Sequence, residues 1–158
     1  MYMSICKIGH IQQYELHKMK NKLIIRNYND ADFENVQSFW KILEMAGKER
    51  KDDNEVIIRT IKNGGKLIIF EKANLIIGTA WLTNDTRRTY LHHFGIHPDF
   101  QKQGYGTKLM NECMKYINEN GLQVKIEVHK KNIAALKLYK NFGFIDFPEY
   151  ELMMLRDI

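Results

Sequence analysis

Apolar residues recur along this chain with two different periods, and these periods predict strands and helices in a definite order. Short apolar runs rich in β-branched residues predict strands, whereas apolar residues spaced three or four positions apart predict helices. The predicted strands cover residues 22–26, 66–72, 75–82, 90–96, 124–128 and 150–155. The predicted helices cover residues 33–44, 56–61, 107–120 and 133–142.

Turn and cap residues separate these segments. Asp30 is predicted to cap the first helix, and Gly121 and Gly143 suit the ends of the last two helices. Ala73 and Asn74 form the tight connection of a predicted hairpin. Because hairpins come first and helical crossovers follow, we predict one α/β domain with a mixed sheet. The strands on either side of the third helix should be parallel neighbours.

The N-terminal segment, the two cysteines and the hydropathy of the chain predict the domain limits and the cellular location. Residues 1–20 should form an extension of uncertain structure before a domain over residues 21–158. Cys6 and Cys113 lack metal-ligand spacing, so a disulfide framework is not expected, and Cys113 on an apolar helical stripe should belong to the core. The sequence has no apolar run of about 20 residues and no secretory pattern, so we expect a cytoplasmic protein.

The net charge of the chain indicates which kinds of partner it would bind. A net charge of +5 favours an anionic partner, such as a polyphosphate, a nucleic acid or an acidic surface. The basic residues are scattered, however, and do not alternate with aromatic residues. The sequence therefore gives no clear signal for nucleic-acid or membrane binding.

A glycine-containing loop after the strand 90–96 carries the main chemical signal. The loop reads Gln101-Lys102-Gln103-Gly104-Tyr105-Gly106 and leads into the helix predicted from Thr107. Glycines let the backbone approach a ligand, and the N–H groups and dipole of a helix N-terminus attract an anion. A strand, a loop and a helix in this order predict a phosphate site, although two glycines also suit an ordinary turn.

Three features follow one another in the second half of the chain. They are the strand end Phe94-Gly95-Ile96-His97-Pro98, the loop Gln101-x-x-Gly104-x-Gly106, and Ile126-Glu127-Val128 followed by Asn132, Ala135, Leu138-Tyr139 and Gly143-Phe144. This combination, over residues 90–144, resembles the GNAT superfamily of N-acetyltransferases. The resemblance implies one domain with a mixed, mostly antiparallel sheet of about six to seven strands flanked by about four helices.

The resemblance also implies direct acetyl transfer from acetyl-CoA to a primary amine, without a covalent enzyme intermediate. Backbone amides of residues 103–107 would bind the pyrophosphate, and main-chain groups of Phe94 and Ile96 would hold the pantetheine arm and polarise the thioester. Gln101 stands where many family members carry arginine. The positions implied to contact the coenzyme are Phe94, Gly95, Ile96, Gln101, Lys102, Gln103, Gly104, Tyr105, Gly106, Thr107, Asn132 and Ala135.

Tyr139 is implied to be the general acid that protonates the departing thiolate. Its place on the apolar stripe with Ala135, Leu138 and Phe142 would by itself indicate a core aromatic residue, but a tyrosine at the edge of a core can present its hydroxyl to a cleft. Asn132 is also suited to cap its helix, and that role competes with a coenzyme contact for the same side chain.

The general base has two side-chain candidates, and water or the ionisation of the substrate itself is the third alternative. Glu127 matches a glutamate used as base by some ribosomal-protein acetyltransferases, and its alternative is a solvated strand residue. His92 resembles in position the catalytic histidine of arylalkylamine acetyltransferases, and its alternative is a partly buried structural histidine. His93 should point to the opposite face and pack against a helix. His97 and His129 are weaker candidates, and the histidine spacings do not indicate a metal site.

The sequence does not identify the amine that accepts the acetyl group. Its recognition should fall to the first two helices and the strand-end loops, where no motif occurs and residues 44–55 carry both charges. A small-molecule amine, a peptide N-terminus or a lysine side chain all fit. A non-catalytic acyl-CoA sensor and, more remotely, a nucleic-acid-binding module are alternative functions. A homodimer that forms through strands at the sheet edge is an alternative to a monomer.

Overall fold

Five strands form a single sheet in the computed structural model, which describes residues 22–155 apart from the side chain of Lys48. The strands lie in chain order and comprise β1 (Ile24–Asn27), β2 (Lys66–Lys72), β3 (Leu75–Asn84), β4 (Arg88–Ile96) and β5 (Gln123–Ile126). Neighbouring strands are antiparallel except β4 and β5, which are parallel. The predicted mixed sheet and its parallel pair are confirmed. The predicted extension 1–20, including Cys6, lies outside the described residues.

Four α-helices flank this sheet. They are α1 (Phe33–Ile42), α2 (Asn54–Lys62), α3 (Tyr105–Asn120) and α4 (Ile133–Asn141), with short 3₁₀ turns at Asp30–Asp32, Lys48–Arg50 and Pro98–Phe100. The predicted number of helices is confirmed for the described chain. None of these described helices is long and apolar enough to cross a membrane.

The start of α1 differs from the prediction because a 3₁₀ turn precedes it. Asn29, not Asp30, caps that turn, and the Asp32 carboxylate in return accepts the Asn29 backbone N–H at 2.9 Å. This reciprocal pair satisfies two donors that would otherwise be free. Asp32 already has helical backbone angles, so α1 follows without a separate side-chain cap.

The predicted turn residues have the backbone angles that their positions require. Ala73 and Asn74 have φ values of 51° and 62° in the β2–β3 hairpin, as a type I′ turn demands. Gly121 and Gly143 have φ values of 65° and 87° beyond the last residues of α3 and α4. Left-handed residues at these points end the helices and are least costly as glycine.

A bulge interrupts the pairing of β3 with β4. Thr79 pairs with Gly95 and Trp81 pairs with His92, so two residues of β4 lie opposite the single residue Ala80. A bulge increases the local twist and changes the direction of nearby side chains. Here it lies in the part of β4 that borders the candidate site.

The helices bury two separate cores on the two faces of the sheet. On one face, α1 and α2 bury Val36, Phe39, Trp40 and Ile57 against Leu67, Ile69 and Trp81. On the other face, α3 and α4 bury Leu109, Met110, Cys113 and Tyr139 against Phe70, Ile77 and Leu91. Cys113 is fully enclosed, and burial raises its pKa to about 12, which confirms its predicted place in the core.

The predicted last strand, residues 150–155, does not form. Residues 144–155 carry neither helix nor strand, so the described chain has five strands instead of the predicted six to seven. A strand is stabilised by hydrogen bonds to a neighbour, and these residues pair with none of the five described strands. Their apolar pattern therefore leaves large side chains exposed, from Leu152 at 59% to Met153 at 90%.

Candidate active site

The parallel strands β4 and β5 separate part-way along β4 and open a cleft. Their ladder runs from Arg88 opposite Gln123 to Leu91 opposite Ile126, and β4 continues to Ile96 without a β5 partner. The cleft has a volume of about 320 Å³. Its walls come from β4, the β5–α4 connection, α4 and the loop after α1. The separated strands thus offer a slot into which a narrow ligand can enter.

The N-terminus of α3 has free backbone donors and no side-chain cap. Its N-cap Gly104 has φ 80°, and Lys108 donates the first helical hydrogen bond to the Gly104 carbonyl at 3.1 Å. The N–H groups of residues 103–107 donate no hydrogen bond within the described chain. The first turn of α3 has no carboxylate, whereas α1 and α2 carry Glu34 and Glu55 there. This end of the 16-residue helix α3 therefore suits a phosphate group.

The two glutamines of the loop hold it against the end of β4. Gln101 Nε2 donates to the Ile96 carbonyl at 3.0 Å, and Gln103 Nε2 donates to the Asp99 carbonyl at 3.0 Å. A Cβ atom on Gly104 would meet no heavy atom within 4 Å, so the space beside this glycine is open. The glutamine side chains thus shape the loop while its N–H groups stay free.

Lysines lie around the start of α3. Lys72 Nζ donates to the Tyr105 hydroxyl at 3.1 Å and lies 5.8 Å from the centre of the Phe100 ring. Lys108 Nζ lies 5.4 Å from the centre of the Tyr105 ring. These cations add positive potential at the same end of the helix that offers the free N–H groups. No motif in the sequence marks Lys72 as part of this region, because β2 is distant from it along the chain.

Tyr139 lies between the core and the cleft. Its ring centre is 5.7 Å from the ring centres of both Phe94 and Phe144, and only 6% of the residue is exposed. Burial raises the pKa of its phenol well above the ordinary value, so the hydroxyl keeps its proton at neutral pH. The hydroxyl has no hydrogen-bond partner among residues 22–155 and is not one of their fully buried, unpaired polar atoms. Tyr139 can therefore belong to the core and still present its hydroxyl to the cleft.

His92 and Glu127 line the cleft from different walls. The His92 ring Nε2 lies 3.0 Å from Thr83 Oγ1, which orients the imidazole. His92 is exposed in the cleft, but packing by neighbouring residues on part of the ring lowers the pKa of His92 below its ordinary value, and His93 lowers it further. The charges of Asp52 and Glu127 act in the opposite direction. The net lowering leaves the imidazole uncharged at neutral pH.

In a regular strand, His93 would point to the face of the sheet opposite His92. Here the two side chains lie on the same face. The bulge gives His93 a φ of 44°, and the rings of His92 and His93 lie 6.0 and 5.5 Å from that of Trp81. The predicted contact with a helix is confirmed, because the His93 ring packs 4.0 Å from Trp40 of α1. Its Nε2 lies 3.1 Å from the Met45 carbonyl, and its buried Nδ1 has no partner among the described residues.

Asn132 caps α4 at the edge of the cleft. Its Oδ1 accepts the backbone N–H of Ala135 at 3.1 Å, so the predicted cap is confirmed. Asn132 and Ala135 both line the cleft, and the amide nitrogen of Asn132 donates to none of the described residues. The cap and a ligand contact thus use different atoms of one side chain. His97 and His129 each accept a backbone N–H two residues ahead, as local turn residues do.

Gly95 allows the loop after α1 to approach β4 closely. A Cβ atom there would overlap Leu43 Cδ1 and lie 3.1 Å from Met45 Cε. Met45 in turn lines the cleft, so the absence of a side chain at Gly95 sets the position of one cleft wall. The resemblance implied that Gly95 contacts the coenzyme. Its close packing against Leu43 and Met45 indicates a second role, because it also sets the position of the loop after α1.

Four further cleft residues have no motif that could have identified them. They are Met45, Arg50, Tyr90 and Lys125. Met45 and Arg50 reach the cleft because the loop after α1 folds across β4, and such a tertiary contact leaves no periodic signal. The mixed charge of residues 44–55 was the only indication in the sequence. Among the described residues, no cluster of three potential metal ligands occurs.

A match to a protein-family model shows which family this chain belongs to. The model of the acetyltransferase (GNAT) family matches residues 24–144, from β1 to just beyond α4. This chain belongs to the GNAT family. The resemblance seen in residues 90–144 is confirmed, and the match extends it to the N-terminal half of the GNAT domain.

Individual relatives of this GNAT chain are distant. An uncharacterised N-acetyltransferase of Methanocaldococcus jannaschii is 33% identical over 67 residues, which cover 40% of this chain and 30% of that protein. The [ribosomal protein bS18]-alanine N-acetyltransferase of Escherichia coli K12 is 27% identical over 85 residues, which cover 53% of this chain and 51% of that enzyme. The chain thus spans about half, or less, of the length of these curated relatives.

Solved structures share the GNAT fold at low sequence identity. A crystal structure of a predicted acetyltransferase with acetyl-CoA from Clostridium acetobutylicum superposes with a TM-score of 0.67 at 18% identity. The superposition covers 84% of this chain and 96% of that one. The agreement over nearly the whole of that protein confirms the fold class.

Proposed function

We propose that this protein is an N-acetyltransferase that transfers an acetyl group directly from acetyl-CoA to a primary amine. The observation that carries the proposal is the separation of β4 from β5 beside the uncapped N-terminus of α3. The cleft opens along the second half of β4, and the loop that follows β4 leads into the start of α3, so a long ligand with a pyrophosphate at one end could extend from one to the other. Membership of the GNAT family and the acetyl-CoA in the Clostridium structure support this proposal.

The residues around α3 fit the pyrophosphate of coenzyme A. Free N–H groups of residues 103–107, the positive end of α3 and the open space beside Gly104 form a cradle for an anion. Lys72 and Lys108 add positive charge, and Lys102 of the loop is available in addition. Phe94, Ile96, Asn132 and Ala135 would border the pantetheine arm in the slot. Acetyl-CoA would supply an activated acetyl thioester there.

We assign the role of general acid to Tyr139. Its phenol is protonated at neutral pH, as that of an ordinary tyrosine is, and burial raises its pKa further. Its hydroxyl is not used by another described residue. A proton held at Tyr139 Oη at the inner end of the slot can be given to a thiolate as the sulfur leaves. Phe94 and Phe144 pack on the ring and fix its position.

We assign the removal of the amine proton to His92 and the attraction of the amine to Glu127. The lowered pKa leaves the His92 imidazole uncharged and able to accept a proton at neutral pH, and the contact of Nε2 with Thr83 Oγ1 fixes the ring. Glu127 is exposed in the cleft and carries the negative charge that a cationic amine seeks before it is deprotonated. Glu127 as the base itself is the alternative, and the pH profile of each variant separates the two.

The acceptor is a primary amine whose class we leave open among small molecules, peptide N-termini and lysine side chains. Met45, Arg50 and Tyr90 would contact it, since they line the cleft and do not belong to the loop or helix expected to hold the coenzyme. We also propose a cytoplasmic location, in keeping with the reduced thiol of Cys113.

The direct test is a turnover screen with acetyl-CoA against small amines, peptides and aminoglycosides, read as free thiol release. We expect thiol release that depends on one class of amine and yields an acetylated product by mass spectrometry. Tight acetyl-CoA binding without turnover on any amine would instead favour an acyl-CoA sensor. Salt-dependent retention of DNA or RNA that coenzyme A does not affect would favour a nucleic-acid-binding module.

A further inference from the structure

A buried chain of hydrogen bonds links α1 to the bulge of β4. The indole Nε1 of Trp40 donates to Thr79 Oγ1 at 2.9 Å, and the Thr79 hydroxyl donates to the His93 carbonyl at 2.8 Å. Trp40 and Thr79 are both fully buried. Because a buried polar group that loses its partner is costly, these two bonds, here termed the tryptophan–threonine relay, fix the positions of the groups that they join.

The relay ends on the one non-glycine residue of β4 with a left-handed backbone angle. His93 has a φ of 44°, which such a residue keeps only where its surroundings hold it. It lies in the bulge, where His93 and Phe94 oppose the single residue Ala80. The hydroxyl of Thr79 therefore holds the His93 carbonyl at the point where the backbone of β4 is strained, and the relay stabilises the bulge from the core beneath it.

The ring of His93 holds the loop after α1, which covers residues 43–53. His93 Nε2 lies 3.1 Å from the Met45 carbonyl and 3.3 Å from Asp52 Oδ2. Both partners are acceptors, so Nε2 carries a hydrogen and donates to them. Only 7% of the side chain is exposed, and its buried Nδ1 has no partner among the described residues. The polar attachment of the ring is therefore made through Nε2.

This one ring is attached near both ends of the loop after α1. Met45 lies near the start of the loop and Asp52 near its end, where Gln37 Nε2 of α1 also donates to the Asp52 carbonyl at 2.8 Å. Arg50 lies between the two attachments and lines the cleft together with Met45. The position of this cleft wall therefore depends on the ring of His93.

We propose that His93 is a positioning residue that couples the bulge of β4 to the cleft wall expected to contact the amine, an inference that rests on the proposed transferase function. Its carbonyl, held by the relay, fixes the bulge and with it the direction of the neighbouring His92. Its ring fixes Met45 and, through the loop, Arg50. The proposed base and the groups that contact the acceptor thus keep their relative positions because both are attached to His93.

The same core contains a second relay of the same kind, which offers a matched control. Trp81 Nε1 donates to Thr60 Oγ1 at 3.0 Å, and the Thr60 hydroxyl donates to the Ile57 carbonyl at 2.8 Å. This second relay ends within α2, and neither Thr60 nor Ile57 belongs to the residues that line the cleft. Thr60→Val therefore removes the same two kinds of hydrogen bond as Thr79→Val without reaching the bulge.

The first test replaces the ring of His93 and follows the loop by amide hydrogen exchange of the full chain. The N–H groups of Met45 and Arg50 donate to the Trp40 and Gly47 carbonyls, so their exchange reports whether the loop stays in place. In His93→Leu we expect exchange at residues 45–52 to become about tenfold faster, because the attachments at Nε2 are lost. His93→Gln should restore slow exchange, since its amide nitrogen can donate to the same carbonyl and carboxylate.

Steady-state kinetics on the same variants should show the same order. KM for the amine should rise about tenfold in His93→Leu and return toward the unaltered value in His93→Gln, while the dissociation constant for acetyl-CoA stays the same in both. A role in stability alone would not produce this split between the two ligands. Unchanged exchange at residues 45–52 in His93→Leu, or an amine KM that does not follow the exchange rate, would overturn the proposal.

The second test removes the relay and leaves the ring of His93 in place. Thr79→Val should lower kcat by about tenfold and raise KM for the amine, because a relaxed bulge turns both His92 and His93. Thr79→Ser keeps the hydroxyl and should keep both values, and Thr60→Val should leave both unchanged. If Thr79→Val and Thr60→Val have the same kinetics and the same exchange at residues 45–52, the relay does not position the site and the proposal is wrong.

The exchange measurement needs neither an acceptor nor turnover, so it separates this proposal from the proposed function. Absence of thiol release with every amine would count against the transferase function, whereas the exchange rates of His93→Leu, His93→Gln and the two valine variants would still decide whether His93 holds the loop. If His93→Leu does not fold, Thr79→Val compared with Thr60→Val makes the same decision.

Discussion

Two regions of the candidate site offer a ligand different kinds of groups. The region formed by the end of β4, the glycine loop and the start of α3 offers backbone N–H groups, and its side chains mainly hold the loop in shape. The cleft wall formed by the loop after α1 offers side chains, among them Met45 and Arg50. Backbone recognition needs glycine at fixed spacing and therefore leaves a sequence pattern. Side-chain recognition can use any residue that the fold brings near, and it leaves no pattern.

The comparison predicts that changes in the two regions will have separable effects. Changes near α3 should alter coenzyme binding, changes near α1 should alter the acceptor, and changes between them should alter the chemical step. The predictions below run from the largest expected effect to the smallest.

Replacing Tyr139 with phenylalanine should lower kcat by about 10³-fold, because the leaving sulfur loses its proton donor. The dissociation constant for acetyl-CoA should change little, since the ring and its packing on Phe94 and Phe144 are kept. Stopped-flow thiol release and calorimetry measure the two quantities.

Tyr116→Phe is the control for this experiment. Tyr116 is a second buried tyrosine of the same core, and its hydroxyl bonds the Gly64 carbonyl and Asn84 far from the cleft. Its loss should lower the free energy of unfolding by about 1 kcal/mol and leave kcat unchanged. Unchanged turnover in Tyr139→Phe would remove the general-acid role.

Replacing His92 with glutamine should lower kcat/KM by about 10²-fold at neutral pH. The active base is the uncharged imidazole, so activity of the unaltered enzyme should fall as pH decreases through the lowered pKa of His92, below 6.5. That acidic limb should disappear in His92→Gln. Glu127→Gln should keep the limb and raise KM for the amine. If Glu127→Gln loses the limb while His92→Gln keeps it, the two assignments must be exchanged.

Replacing Gly104 with alanine should weaken acetyl-CoA binding by about tenfold, which is about 1.4 kcal/mol. Alanine at φ 80° is strained, and relief of that strain would move the free N–H groups of the first turn. Gly121→Ala offers a matched control at the opposite end of the same helix, because Gly121 has φ 65° and equally open surroundings.

Both glycine variants should lose about 1–2 kcal/mol of unfolding free energy, but only Gly104→Ala should lose coenzyme affinity. Thermal unfolding and calorimetry on the same samples separate the two effects. Equal affinity in the two variants would mean that the first turn of α3 does not hold the coenzyme.

Replacing Gly95 with alanine should mainly affect the acceptor. The added methyl group would displace Leu43 and Met45, move that cleft wall and lower the free energy of unfolding by about 1–3 kcal/mol. KM for the amine should rise a few fold while the dissociation constant for acetyl-CoA stays the same, as steady-state kinetics and calorimetry can establish. The reverse pattern would show that Gly95 serves the coenzyme wall, as the sequence alone suggested.

Much of the fold could be predicted from the sequence because periodicity and turn residues are local signals. The hairpin at Ala73 and Asn74, the ends of α3 and α4, and the parallel pair β4–β5 all follow from them. The glycine loop could also be recognised in the sequence, and Gly104 has a φ of 80° that favours glycine at this position.

The parts that could not be predicted depend on contacts distant along the chain. The bulge in β4 places His93 on the same side as His92, and no local pattern indicates which residue of β3 it opposes. The loop after α1 reaches the cleft only because Gly95 leaves room for it. Residues 150–155 have the composition of a strand, but whether a strand forms depends on a partner that the pattern does not name.

The central claim is that coenzyme A binds the free N–H groups at the start of α3 and the separated end of β4. Amide hydrogen exchange with and without saturating acetyl-CoA tests it most directly, because the N–H groups of residues 103–107 have no partner in the described chain and should exchange fast without ligand. We predict that acetyl-CoA slows exchange most strongly at residues 103–108 and 92–96, and leaves α1 and α2 nearly unchanged. Protection confined to α1 and α2, or none at saturation, would contradict the claim.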